Sequence, residues 1–142
     1  MDNKYDIYIC YSRNDNEIAT DICHFLDQQG LSYWIDRRNI ESGDDYAQSI
    51  VNAINSSRLF MFIISESSGK SKFCMNELAV ALQHKKQVFP LYTDHTPFSD
   101  ELSFLIGNLS WVDYSDKYKW QRDLLQYFHN STDKEFSTTP NE

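Results

Sequence analysis

The chain reads as an α/β protein: a flavodoxin-like three-layer sandwich, with a five-stranded parallel sheet in the order 2-1-3-4-5 and helices on both faces. Three observations predict this. Short apolar runs alternate with segments of helical periodicity, the signature of βα units. Residues 5–11 (YDIYICY) and 59–64 (LFMFII) are apolar on both faces but for Asp6, as strands covered by helices on both sides are. Five such runs fit into 142 residues, a length that predicts one domain, with right-handed crossovers between parallel strands. Hydrophobic residues at 41% and aromatics at 15% supply enough apolar mass for one core.

The elements follow in order. After the first strand, Asn14-Asp15-Asn16-Glu17 offers an N-cap and an acidic first turn. Ile18, Ile22, Phe25 and Leu26 then recur at i, i+4, i+7 and i+8, one face of a helix, and Gly30 stands where a C-terminal glycine belongs. Leu31 to Ile35 is the second strand, and residues 36–44 (DRRNIESGD) form a charged loop. Ala47, Ile50, Val51 and Ile54 mark the second helix, and residues 59–64 the third strand. Residues 65–72 read as a serine-rich loop, and Leu78, Ala79 and Leu82 mark the third helix. Val88 to Tyr92 is the fourth strand and Trp111 to Tyr114 the fifth, with room for a short helix in the ambiguous stretch 95–109. Trp120, Leu124, Tyr127 and Phe128 define the last helix. The domain is thus expected over residues 1–130, with the polar stretch 131–142 as a tail or the start of a linker.

Charge and composition remove several functions. Lys plus Arg total 13 against 21 Asp plus Glu, a net charge of -8, which disfavours nucleic acid and anionic membrane surfaces as partners. The four glycines, at 30, 43, 69 and 107, are too far apart for G-x-G-x-x-G or a full P-loop. Gly69-Lys70-Ser71 imitates the end of a P-loop, but Ile64 stands where its first glycine is required. Cys10, Cys23 and Cys74 are an odd, scattered set, which favours free thiols in a reducing compartment. The opening residues lead straight into a strand rather than a leader pattern, so a cytoplasmic location is expected. The longest apolar run, Leu59 to Ile64, falls far short of the roughly 20 residues that span a bilayer. Histidines 24, 84, 95 and 129 have no metal-ligand spacing, and no metal is expected. A phosphate-accepting receiver would need an acidic cluster after strand one and an Asp after strand three; Tyr11-Ser12-Arg13 and Ser65 stand there.

In the order 2-1-3-4-5 the winding reverses between strands one and three, and ligands bind beyond the carboxyl ends of the strands at that point. This nominates Tyr11, Ser12 and Arg13 after strand one. After strand three it nominates the stretch from Ser65 into the third helix, including Lys72, Phe73, Cys74 and Glu77. Glu77, placed on the first turn of that helix, also has a plain structural explanation, complementing the helix dipole. Cys74 reads as a structural thiol, because no histidine is near it in the pattern. Phe73 in a polar segment packs on the sheet or offers a ring to a ligand.

These residues are also those that resemble a known family. Tyr5 to Ser12 (YDIYICYS) is similar to the first box of Toll/interleukin-1 receptor (TIR) domains, and Arg13-Asn14-Asp15 to the turn after it. Gly30-Leu31 and Tyr33-Trp34-Ile35-Asp36 resemble the second strand, and residues 37–44 the family's BB loop. Ser71 to Leu78 (SKFCMNEL) resembles the S-x-W-C-x-x-E-L box, with Phe73 in place of Trp. The boxes are collinear from residue 4 to about residue 128.

The resemblance implies a function. The last box's glutamate is the catalytic residue of NAD-consuming TIR domains, and here it is Glu77. The chain resembles the short prokaryotic members, which implies an NAD+ glycohydrolase or cyclase acting in bacterial antiphage defence or signalling. NAD+ is then the substrate and not a cofactor. Nicotinamide leaves as a neutral molecule, so one carboxylate suffices where ordinary glycosides need two. The resemblance places Tyr11, Ser12, Arg13, Trp34, Asp36, Arg38, Ser65, Lys72 and Phe73 at the substrate. It places Arg37, Asn39, Ile40, Glu41, Ser42, Gly43 and Asp44 of the BB loop at an interface between copies. The competing expectation is a non-catalytic adaptor acting through TIR–TIR contacts. Either way the expected partners are other TIR domains and a fused or separate sensor module.

Overall fold

Both doubly apolar runs become central strands. The computed structural model describes residues 3–35 and 46–136. Its elements are β1 (Tyr5–Cys10), a single 3-10 turn (Arg13–Asp15), α1 (Asn16–Gln28), β2 (Tyr33–Trp34), α2 (Tyr46–Asn55) and β3 (Ser57–Ile64). There follow α3 (Glu66–Gly69), α4 (Lys72–Gln83), β4 (Gln87–Tyr92), α5 (Asp100–Ile106), β5 (Val112–Asp113) and α6 (Lys117–Phe136). The sheet runs β2-β1-β3-β4-β5, and each neighbouring pair is parallel. The expected α/β sandwich and its strand order are therefore observed.

Strand parity divides the core into two layers, because successive side chains point to opposite faces. Ile7, Ile9, Tyr11, Leu59, Met61 and Ile63 face α1 and α6, where they meet Ile22, Leu26, Trp120 and Leu124. Tyr8, Cys10, Phe60, Phe62 and Ile64 face α2, α4 and α5, where they meet Ile54, Cys74, Leu78 and Leu102. In that second layer Trp34 stacks on Tyr8 at 5.0 Å and Tyr8 on Phe60 at 5.2 Å. Gly30 holds φ +72 just past α1, the left-handed conformation that a helix-ending glycine adopts without steric cost.

Several details differ from the sequence reading. β2 and β5 are two residues each, shorter than expected, because each is an edge strand bonded on one side only. The serine-rich stretch is not a loop throughout: Ser65 caps α3 and Ser71 caps α4. The ambiguous stretch contains α5, capped by Ser99. In α4 the core face is Cys74, Met75, Leu78 and Ala81, while Ala79 points to solvent. α6 continues past residue 131 to Phe136.

Lys86, just after α4, donates to the carbonyls of Asn55 and Ser57, both at 2.9 Å. Its ammonium thus meets the negative end of α2 and ties that helix to the segment that follows α4. These two helices form the walls of the site described next.

Candidate functional site

α4 begins where Ser71 Oγ accepts the amide of Cys74 at 3.1 Å, so Lys72 is its first residue. Glu77 consequently lies in the second turn, not the first as the sequence spacing suggested. The helix dipole acts on charges within the first turn and does not account for it. Nor is Glu77 a surface residue: only 5% of it is exposed. The buried polar side chains among the described residues are Ser57, Ser65, Ser68 and Glu77, so Glu77 is the one carboxylate of that set. Taking a carboxylate out of water is costly unless it is well partnered, and such exceptions to ordinary burial concentrate at functional sites.

Glu77 lines a pocket of about 170 Å³ between α2 and α4. Ala47, Ile50 and Val51 form the α2 wall; Phe73, Asn76, Glu77 and Val80 form the α4 wall. Phe73 and Glu77 are four residues apart and therefore share one helical face. The site thus combines a carboxylate, an aromatic ring and an aliphatic wall. That set suits a cationic centre: water is sparse, so the carboxylate's field is strong. Complete small-molecule sites enclose roughly 300–1,000 Å³, so this pocket has room for no more than part of a large ligand.

Beneath Glu77 lies Cys10, the last residue of β1, with 1% exposure. Its thiol contacts the Cys74 carbonyl at 3.9 Å. Burial holds that thiol well above the usual range, and hydrogen bonding to Cys74 and the charge of Glu77 push the same way. Cys10 lies within the doubly apolar first strand expected from residues 5–11, and its burial agrees. Its proximity to Glu77 was missed, although Cys74 and Glu77 at i and i+3 on a helix crossing the end of β1 was the signal for it.

The other nominated residues divide into groups. Phe73 joins Glu77 in the pocket, and Lys72 is exposed at the first position of α4. Tyr11, 5% exposed, belongs to the opposite layer, under α1 and α6. Its parity with Ile7 and Ile9 puts it there. Trp34 is buried on Tyr8 and borders a different cavity, of about 220 Å³, with Lys4, Tyr5 and Ser49. Ser12 caps the turn after β1, accepting the Asn14 amide at 3.4 Å, and Arg13 is exposed beside it. Ser65 is occupied structurally: its Oγ accepts the Ser68 amide at 3.1 Å and donates to Asp15 Oδ2 at 2.5 Å. Asp36, Arg37, Arg38, Asn39, Ile40, Glu41, Ser42, Gly43 and Asp44 lie outside the described residues.

A polar network joins the two loops at the switch point, and the sequence reading did not foresee it. Besides Ser65–Asp15, Asn14 Nδ2 donates to Ser67 Oγ at 3.0 Å and the Glu66 amide donates to Asp94 Oδ2 at 3.0 Å. Burial raises the Asp15 carboxyl; the Ser65 hydrogen bond opposes this and the Asp94 charge adds to it. Asp94 itself is held low: burial pushes it up, but the Glu66 amide and Thr96 outweigh burial. Among the described residues, no three His, Cys, Asp or Glu side chains gather as a metal site, and no helix is long and apolar enough to cross a membrane.

Comparison with known proteins gives the geometry a context. The family profile described as the TIR domain matches residues 7–127. A probable 2' cyclic ADP-D-ribose synthase, BdTIR of Brachypodium distachyon, is 26% identical over 98 residues, covering 68% of this chain and 44% of that protein. The NAD(+) hydrolase TcpA of Theionarchaea archaeon (strain DG-70-1) is 27% identical over 94 residues, covering 63% of this chain and 29% of that protein. The chain therefore spans less than half the length of either relative. Among solved structures, the TIR domain of the Toll-related receptor TRR-2 from Hydra magnipapillata superposes with a TM-score of 0.72 at 22% identity, covering 89% of this chain and 98% of that one. A metazoan TIR-STING receptor from C. gigas superposes with a TM-score of 0.71 at 20% identity, covering 87% of this chain and 39% of that one. At these identities the superpositions establish the fold alone.

Proposed function

The chain belongs to the TIR domain family, and from that premise we propose that it cleaves the nicotinamide–ribose bond of NAD+. The observation that carries the reading is Glu77, a buried carboxylate beside Phe73 in the pocket between α2 and α4. The C1'–N1 bond breaks, and its electron pair leaves with nicotinamide, which becomes neutral. Positive charge develops on the ribose, and the Glu77 carboxylate stabilises it. Water captures the cation to give ADP-ribose and a proton, or a nucleophile elsewhere on the same molecule captures it to give a cyclic isomer. The Phe73 ring stacks on the substrate; it keeps the π-face of the family's Trp without the indole donor. The names of the two distant relatives, a cyclic ADP-ribose synthase and an NAD+ hydrolase, support the same chemistry.

The proposal extends to the prokaryotic NAD-consuming type, to a role in antiphage defence or signalling, and to assembly with other TIR domains through the loop 36–44. NAD+ is consumed and no cofactor is required. Incubating the chain with NAD+ at high protein concentration and following nicotinamide by chromatography tests the reading; mass spectrometry then separates linear from cyclic product. Release that is abolished in Glu77→Gln supports it. No release under any assembly-promoting condition, or full release by Glu77→Gln, rejects it. A non-catalytic adaptor acting through TIR–TIR contacts is the second reading. It predicts partner binding that survives Glu77→Gln and fails when the loop arginines are reversed in charge.

A further inference from the structure

We propose that Asn76 recognises the leaving group: its amide hydrogen-bonds the carboxamide of the nicotinamide ring and so selects substrates that carry one. The proposal deepens the reading of Glu77 as the catalytic carboxylate and rests on it. The α2 wall of the pocket is wholly aliphatic, and among the described residues Asn76 and Glu77 are the polar side chains that line it. They stand at different depths. An α-helix turns by about 100° per residue. Glu77 therefore falls on the side of α4 next to the core residues Cys74 and Ala81, and Asn76 on the side away from them, with Phe73 and Val80 between. Exposure follows the same order: Glu77 is buried, Phe73 and Val80 are half-buried and Asn76 is exposed. Phe73 is thus flanked by a carboxylate on its inner side and an amide on its outer side. Among the described residues, no hydrogen bond or ion pair engages the Asn76 side chain.

A nicotinamide ring stacked on Phe73 with its ribose at Glu77 has its ring nitrogen inward. Its carboxamide, on the third ring position, then points outward, toward Asn76. Two primary amides pair through two hydrogen bonds, each N–H donating to the other's carbonyl. The partner of a neutral carboxamide is best neutral itself, and Asn76 is, while the Glu77 charge serves the ribose. The carboxamide is unchanged as the C1'–N1 bond breaks, so the pairing holds substrate and transition state alike. Such uniform binding lowers KM and leaves kcat where it was. An aromatic face alone accepts any flat ring; the amide supplies the discrimination.

Asn76→Ala, a substitution at an exposed position, tests this with two dinucleotides: NAD+ and the analogue that carries plain pyridine in place of nicotinamide. The variant should lower kcat/KM for NAD+ by about tenfold, through KM, and change it for the pyridine analogue by less than about twofold. Each substrate is compared with itself across the two proteins, so the different leaving tendencies of the bases cancel. An equal loss on both substrates, or an unchanged kcat/KM for NAD+, overturns the proposal. A second readout needs no turnover. The side-chain amide signals that vanish from the nitrogen–proton correlation spectrum in Asn76→Ala should shift when the wild type is given nicotinamide and stay in place with pyridine. Signals indifferent to nicotinamide overturn the proposal. A wild type that releases no nicotinamide from NAD+ overturns the catalytic reading of Glu77, and the spectrum then decides alone whether Asn76 meets the ring. An active wild type whose Asn76→Ala variant treats both dinucleotides alike overturns the role of Asn76 alone.

Discussion

A carboxylate stripped of most of its water interacts strongly with whatever charge approaches it, and Glu77, with 5% exposure, is in that condition. Glu77→Gln keeps the shape and removes the charge. Nicotinamide release should fall at least about a hundredfold, the scale of one electrostatic contact to a transition state. The melting temperature should hold or rise, since an uncharged amide is cheaper to bury than a carboxylate. Calorimetry beside the activity assay checks both; a loss of activity that tracks a loss of stability would contradict the catalytic role. Phe73→Ala should act differently, raising KM by about tenfold through loss of stacking area, while Phe73→Trp keeps it near wild type; steady-state kinetics at varied NAD+ decide. Much of this site was legible, because Phe73 and Glu77 stand four apart on a segment that begins at the switch point. Tyr11 was nominated from its place after strand one and Trp34 from the family resemblance, yet parity sends Tyr11 to the α1 layer and stacking draws Trp34 onto Tyr8.

At the scale of elements, the strands most visible in the sequence are β1 and β3, apolar on both faces because helices cover both. The edge strands were overestimated, since an apolar run says nothing about how many of its residues find a neighbour. The serines of residues 65–72 misled by composition: read as loop formers, two of them are helix caps. Ser65 does most, joining the cap of α3 to Asp15 in the turn after β1. Ser65→Ala should therefore cost about 1–2 kcal/mol in chemical denaturation, more than a surface serine would. Asp94 ties the other end of α3 through the Glu66 amide, and its carboxyl is held below the ordinary 3.8. The stability it confers is complete above its unfolded value and is lost as pH falls through the lower folded value. Asp94→Asn should then melt below wild type at neutral pH, and the gap should close as pH drops below about 4. A gap that widens in acid would contradict the assignment.

At the scale of the whole molecule, a net charge of -8 makes copies of this chain repel one another, whereas the loop 36–44 carries Arg37 and Arg38. The adjacent Arg37 and Arg38 meeting an acidic neighbour would pair two unlike surfaces, which is a heterologous contact, and such contacts propagate head to tail. If assembly of this kind completes the pocket, specific activity rises with protein concentration instead of staying constant. A sharper consequence follows from the contact being between unlike surfaces. Arg37→Glu/Arg38→Glu lacks a functional loop but keeps Glu77; Glu77→Gln lacks the carboxylate but keeps the loop. Each alone should be inactive. Mixed in equal amounts, a copy with an intact Glu77 can sit against a copy with an intact loop, and about a quarter of random junctions have that arrangement. Nicotinamide release should therefore reappear in the mixture at up to about a quarter of wild type. A site completed by each copy's own loop permits no such rescue, so a mixture as inactive as its components would show that every copy of this chain carries its whole site within itself.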